Sequence, residues 1–161
     1  MRVIYSLALF AASLIGMYSL QSQQGQAPLN GTRWVCAESK SGFTQRAYQN
    51  IAEINESHTL FFTSADMMTQ YHKGEVTFHD GRTDSFEVVY LVHYQQQENN
   101  LKMKYVSLQW ADKPNNQPLL TENIKILEGL TVDINYFIED HYLYLSNRSG
   151  SEDSNFVCYS S

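Results

Sequence analysis

Runs of positive charge are missing from this chain. Its 161 residues carry 11 Lys and Arg against 17 Asp and Glu, for a formal net charge of −6. A nucleic-acid-binding surface needs clustered Lys and Arg to displace the counterions around phosphates, so that class of function is excluded. Proline and glycine are scarce, at 3 and 8 residues, which excludes collagen-like and low-complexity chains. No Gly-x-Ser-x-Gly occurs, and no two of the five histidines (58, 72, 79, 93 and 141) stand two or four positions apart. The first absence removes the nucleophile elbow of a serine hydrolase. The second removes the simplest spacing of metal ligands on one strand or helix. Acidic residues are scattered without a marked catalytic pair. These patterns lead us to expect no enzyme activity, no metal and no cofactor.

Charge is also absent between Arg2 and Arg33. Residues 3–20 of that stretch are strongly apolar. One basic residue followed by an apolar run reads as an export signal over residues 1–22, with a polar lead at 23–28. The run is long enough that an uncleaved membrane anchor stays open. Either way the protein is expected outside the cytoplasm, periplasmic or secreted, with membrane association only if the segment is retained.

Cysteine is limited to Cys36 and Cys158, 122 positions apart. In an exported chain the two have one possible intramolecular pairing and imply one disulfide. Closing so long a loop is worth roughly 4–5 kcal/mol in the chain-entropy model.

Aromatics are plentiful, at 13%, with 11 Tyr and 8 Phe. They fit the half-buried face of a strand. The clearest alternation is Phe86, Val88, Tyr90, Val92 and Tyr94, with Glu87, Val89, Leu91 and His93 between them. Asp80-Gly81 marks the hairpin turn before it. Even positions then pair with even positions, so His72, Gly74, Val76 and Phe78 share the face of those five. A change of phase from Leu101, Met103 and Tyr105 to Val106, Leu108 and Trp110 predicts a bulge near Tyr105-Val106. Residues 40–57 fit either a short helix, with Ala47, Tyr48, Ile51 and Ile54 on one face, or a loop across a barrel mouth. A second short helix is expected over 119–130, with Leu120, Ile124, Leu127 and Leu130 aligned; it is one candidate to cover Val89 and Leu91. About eight strands in sequential hairpins, without βαβ alternation, predict an all-β, antiparallel, up-and-down closed barrel over residues 29–161. Trp34 would plug its base and Cys36–Cys158 would staple its first strand to its last.

With Gly31 and Trp34 opening the domain, a short helix before the last strands and the "YFIEDHYLYLS" hairpin, the layout resembles the lipocalin-like barrels of the calycin group. The family signature has one residue between its Gly and Trp; this chain has two, Thr32 and Arg33. The resemblance implies an exported barrel that binds a small apolar or amphipathic molecule in its lumen. The candidate ligand-binding residues are His72, Tyr90 and Tyr94, with Tyr105 and Trp110 beside the bulge. Tyr offers an apolar ring and one hydroxyl, enough to grip and orient such a molecule. The alternative is a filled barrel acting on a secreted protein partner through its loops, as an inhibitor of a hydrolase such as a lysozyme or protease or as another interaction module.

Overall fold

The computed structural model describes residues 28–44, 48–115, 118–147 and 155–161. The expected signal or anchor, most of the polar lead, Ala47 and the loop at 148–154 lie outside the described residues. Eight strands follow one another: β1 (Arg33–Ser41), β2 (Ile51–Phe62), β3 (Met67–Phe78), β4 (Thr83–Gln97), β5 (Asn100–Asp112), β6 (Thr131–Glu139), β7 (Tyr142–Asn147) and β8 (Phe156–Ser160). One helix, α1 (Pro118–Ile126), interrupts them between β5 and β6. Each strand pairs with the next, antiparallel, and β8 returns to β1, so the sheet closes into a barrel with no free edge. Among the described residues, no helix is long and apolar enough to cross a membrane.

The register follows from the turns. Gly81 takes φ +83° between β3 and β4, a conformation that glycine adopts at no steric cost. Gly74 then faces Phe86, His72 faces Val88 and Gln70 faces Tyr90. The even residues of both strands point inward. Phe86, Val88, Tyr90, Val92 and Tyr94 are all buried, while Leu91 is 40% exposed. The helix therefore does not cover the outer face at Leu91.

In β5 the partner of Leu91 is Ser107 and the partner of Val92 is Tyr105. Val106 is the extra residue and stands exposed. This is the bulge expected from the phase change, and it lets both apolar runs of one strand face the core.

The seam is short. Trp34, Val35 and Cys36 pair with Ser160, Tyr159 and Cys158. Cys36 and Cys158 are directly opposite, Cα atoms 4.1 Å apart, and disulfide-bonded. Trp34 is buried, and its Nε1 donates to Thr32 Oγ1 at 2.8 Å. That hydroxyl in turn donates to the Leu29 carbonyl.

Two expectations change. Ile51 and Ile54 belong to the twelve-residue strand β2, not to a helix. The helix over 119–130 ends at Ile126, and Leu130 is exposed. Its buried residues Leu120 and Ile124 lie against the open end of the barrel, where Asn123 donates to the Tyr48 hydroxyl.

The barrel has two unlike halves. One end is solid. Leu29, Trp34, Phe62, Met68, Tyr94 and Leu101 fill it, all buried. Phe62 and Tyr94 meet edge to face at 5.0 Å, a favoured aromatic arrangement. The other end, beneath α1 and the segment after β1, is hollow.

Candidate functional site

The hollow end is a cavity of about 920 Å³. Phe43, Tyr48, Ile54, Leu127 and Phe156 give it apolar walls. Its floor is ionisable, and the strand register explains why. Across β1 and β2, Glu38 faces Glu56, and Cys36 faces His58. Across β2 and β3, His58 faces His72, and Glu56 faces Gly74. Successive inward positions of β2 thus present a carboxylate and an imidazole, with a second imidazole beside them.

These side chains form a connected set. Lys40 Nζ lies 3.1 Å from Glu38 Oε2 and 3.2 Å from Glu56 Oε2. The other oxygen of Glu56, Oε1, is 3.5 Å from His72 Nε2. That is an ion-pair distance beyond a good hydrogen bond, so both nitrogens of His72 are buried without a hydrogen-bond partner. The two imidazoles stack with centroids 4.1 Å apart. His58 Nδ1 is 3.1 Å from the Gln70 amide nitrogen, and His58 Nε2 is buried with no partner. Gln70 Oε1 accepts from the Tyr105 hydroxyl at 3.2 Å.

Charge follows from this packing. Burial, joined by the charge of His72, drives the His58 pKa down to about 3, so His58 is neutral at ordinary pH. Burial opposes ionisation of Glu56, but contact with His72 and the nearby charges outweigh it and hold the carboxyl at about 2. Lys40 is disfavoured by burial too, yet Glu56 and Glu38 raise its pKa above the usual lysine value. Burial pushes the Tyr105 hydroxyl up to about 12.

The sequence-derived candidates separate in space. His72 sits on the cavity floor. Tyr90 lies beside it, ring centroids 6.3 Å apart, with a hydroxyl that has no partner. Tyr105 packs edge to face on Tyr90 at 5.4 Å. Tyr94 belongs to the solid end, where its hydroxyl donates to the Ser64 carbonyl at 2.7 Å. Trp110 is half-buried opposite Val88 and is not part of the cavity wall. So His72, Tyr90 and Tyr105 come together, and Tyr94 and Trp110 do not join them.

The residues absent from that set are Glu56, His58, Gln70 and Lys40. A signal was present: Glu56-x-His58 is a period-two pair of ligand-type residues. Spacing among histidines alone overlooks it, and the partner His72 is brought in by the hairpin. No protein-family model matches this chain, and no curated protein matches it in sequence.

Proposed function

We propose that the protein is an exported, lipocalin-like carrier that takes a small amphipathic molecule into the hollow end of its barrel. The observation that carries this reading is the cavity itself, with apolar walls above a floor of buried polar atoms that have no partner. Unpaired buried donors and acceptors cost stability, and a ligand with a polar head satisfies them while its apolar body lies against Phe43, Ile54 and Leu127. The volume is within the usual range for small-molecule sites, about 300–1,000 Å³. The disulfide is compatible with export.

Extraction of protein purified from its source, followed by mass spectrometry, tests the reading, together with titration by an amphipathic fluorophore. Phe43→Ser and Leu127→Ser, at the rim, should each weaken probe binding about tenfold through lost apolar contact. If the native protein retains no small molecule and takes up no probe, the carrier reading fails.

A second reading, a protein-interaction module, rests on a different observation. Phe137, Tyr142, Tyr144, Val157 and Tyr159 are all exposed on the outer face of β6, β7 and β8, where Tyr144 pairs with Phe137 and Val157, and Tyr142 with Tyr159. Contiguous exposed aromatics mark contact surfaces. Sedimentation of Tyr144→Ser against wild type, alone and in source extract, separates this reading from the first.

A further inference from the structure

We propose that Glu56, His58 and His72 bind one divalent transition-metal ion of the zinc class at the floor of the cavity. The three offer one ligand atom each, all within 4.8 Å of one another. An ion held tetrahedrally at about 2.1 Å needs donors about 3.4 Å apart. Glu56 Oε1 and His72 Nε2, at 3.5 Å, already stand at that separation. The wider gap, up to 4.8 Å, requires the His58 imidazole to turn about its terminal torsion, which is intrinsically broad.

The surroundings favour the same use. Lys40 holds the far oxygen of Glu56, which leaves Oε1 aimed at His72. Gln70 sits on Nδ1 of His58, so Nε2 is the ring nitrogen left without a partner. Outer contacts of this kind orient metal ligands. For His58 to ligate through Nε2, its Nδ1–H must donate to the Gln70 carbonyl oxygen. That needs the Gln70 amide turned over, its nitrogen then donating to the Tyr105 oxygen while the Tyr105 hydroxyl proton gives up Gln70 as its acceptor. The two ends of an amide are exchanged by such a turn without moving the chain.

Two imidazoles and one carboxylate are the donors of zinc-class ions, not of calcium or magnesium, which take oxygen ligands. Three protein ligands leave a fourth position, and here it opens on the cavity. An apolar core would dispense with all these groups, because each buried polar atom without a partner destabilises the fold. His58 Nε2 and both nitrogens of His72 are in that condition.

The inference does not depend on an organic ligand, and its test is run without one. Full-length processed protein is stripped with a chelator, dialysed, and titrated with Co²⁺, followed by Zn²⁺ in competition. We expect one equivalent of Co²⁺ with the visible absorption of a tetrahedral or five-coordinate site, abolished by Zn²⁺. Glu56→Gln, His58→Gln and His72→Gln should each lower the affinity by more than the about 10–100-fold that outer-contact changes cost. His79→Gln, at a surface turn, should leave it unchanged. In wild-type protein, Zn²⁺ should shift the imidazole NMR signals of His58 and His72 and not those of His79, His93 or His141, which serves if a core variant does not fold. Absence of stoichiometric binding by folded wild type, or binding that survives His58→Gln and His72→Gln, overturns the proposal. So does a Zn²⁺ response confined to the surface histidines.

Discussion

The ring of Phe86 occupies the space that a side chain on Gly74 would need. A Cβ built on Gly74 falls 2.2 Å from Cε1 and Cζ of that ring. The two residues are cross-strand partners on the inner face. Phe86 also meets His72 edge to face at 5.0 Å, so the glycine gives the ring its place and the ring helps fix the imidazole. Gly74→Ala should therefore destabilise. Relief of glycine's extra unfolded-state freedom gains about 0.4–1 kcal/mol, but overpacking costs about 1–3 kcal/mol, and the second effect prevails. Urea unfolding of the variant checks the sign. An unchanged or raised midpoint would mean that Phe86 moves aside freely.

The seam depends on its staple. The paired length between β1 and β8 is three residues, Trp34 to Cys36, against eleven from Met67 to Thr77 between β3 and β4. Replacing Cys36 and Cys158 together by alanine should cost about 2–5 kcal/mol. Amide exchange should report the loss first in β8 and last in β3 and β4. Uniform loss over the barrel would contradict a local weakness at the seam.

Two buried tyrosines should behave oppositely. The Tyr94 hydroxyl donates to Ser64 O, whereas the Tyr90 hydroxyl is buried without a partner. Tyr94→Phe should cost about 0.5–1.5 kcal/mol, the net worth of one hydrogen bond. Tyr90→Phe removes only an unsatisfied group and should leave thermal stability equal or higher. A large loss in Tyr90→Phe would reveal a partner for that hydroxyl.

Acid should weaken the chelator-stripped protein early. The folded pKa of His58 is depressed from 6.5 to about 3, so below pH 6.5 the unfolded chain takes up a proton that the fold refuses. The stability from neutral His58 is fully present above that value and is lost as pH falls toward 3. Glu56 adds in the same direction lower down, because its folded pKa of about 2 lies below the ordinary 4.5. Urea midpoints should fall from pH 7 to pH 4 by the equivalent of roughly 1–3 kcal/mol. His58→Asn should flatten the upper part of that slope.

The sequence was most legible where the inner face is apolar. The alternation from Phe86 to Tyr94 and the turn at Asp80-Gly81 are sufficient to orient β3 and β4, and the phase change in β5 locates Val106. Strand β2 was legible from His58 onward, and its first part was hidden for the opposite reason. Its inward positions include Glu56 and His58, so the apolar period of two breaks where the cavity floor is built, and Ile51 and Ile54 align as well on a helix as on a strand. The same break conceals the site. His58 and His72 become neighbours through the β2–β3 register, and the intervening residues 63–66 carry no turn signature that fixes it. The seat of α1 at the mouth is a tertiary matter; four aligned apolar residues state that a helix has a buried face, not what it is buried against.

The barrel also has a direction. Arg33 at the start of β1 and Ser160 at the end of β8 both lie at the solid end, where Ser161 N donates to the Arg33 carbonyl and Leu29 is buried. The described residues that cover the cavity, Gly42 to Thr44, Tyr48, and Leu120 to Leu127, lie at the other end. The described chain thus enters the barrel at its closed base, at the pole away from the mouth. On the proposed carrier reading, an anchored copy would sample the surrounding medium as freely as a released one.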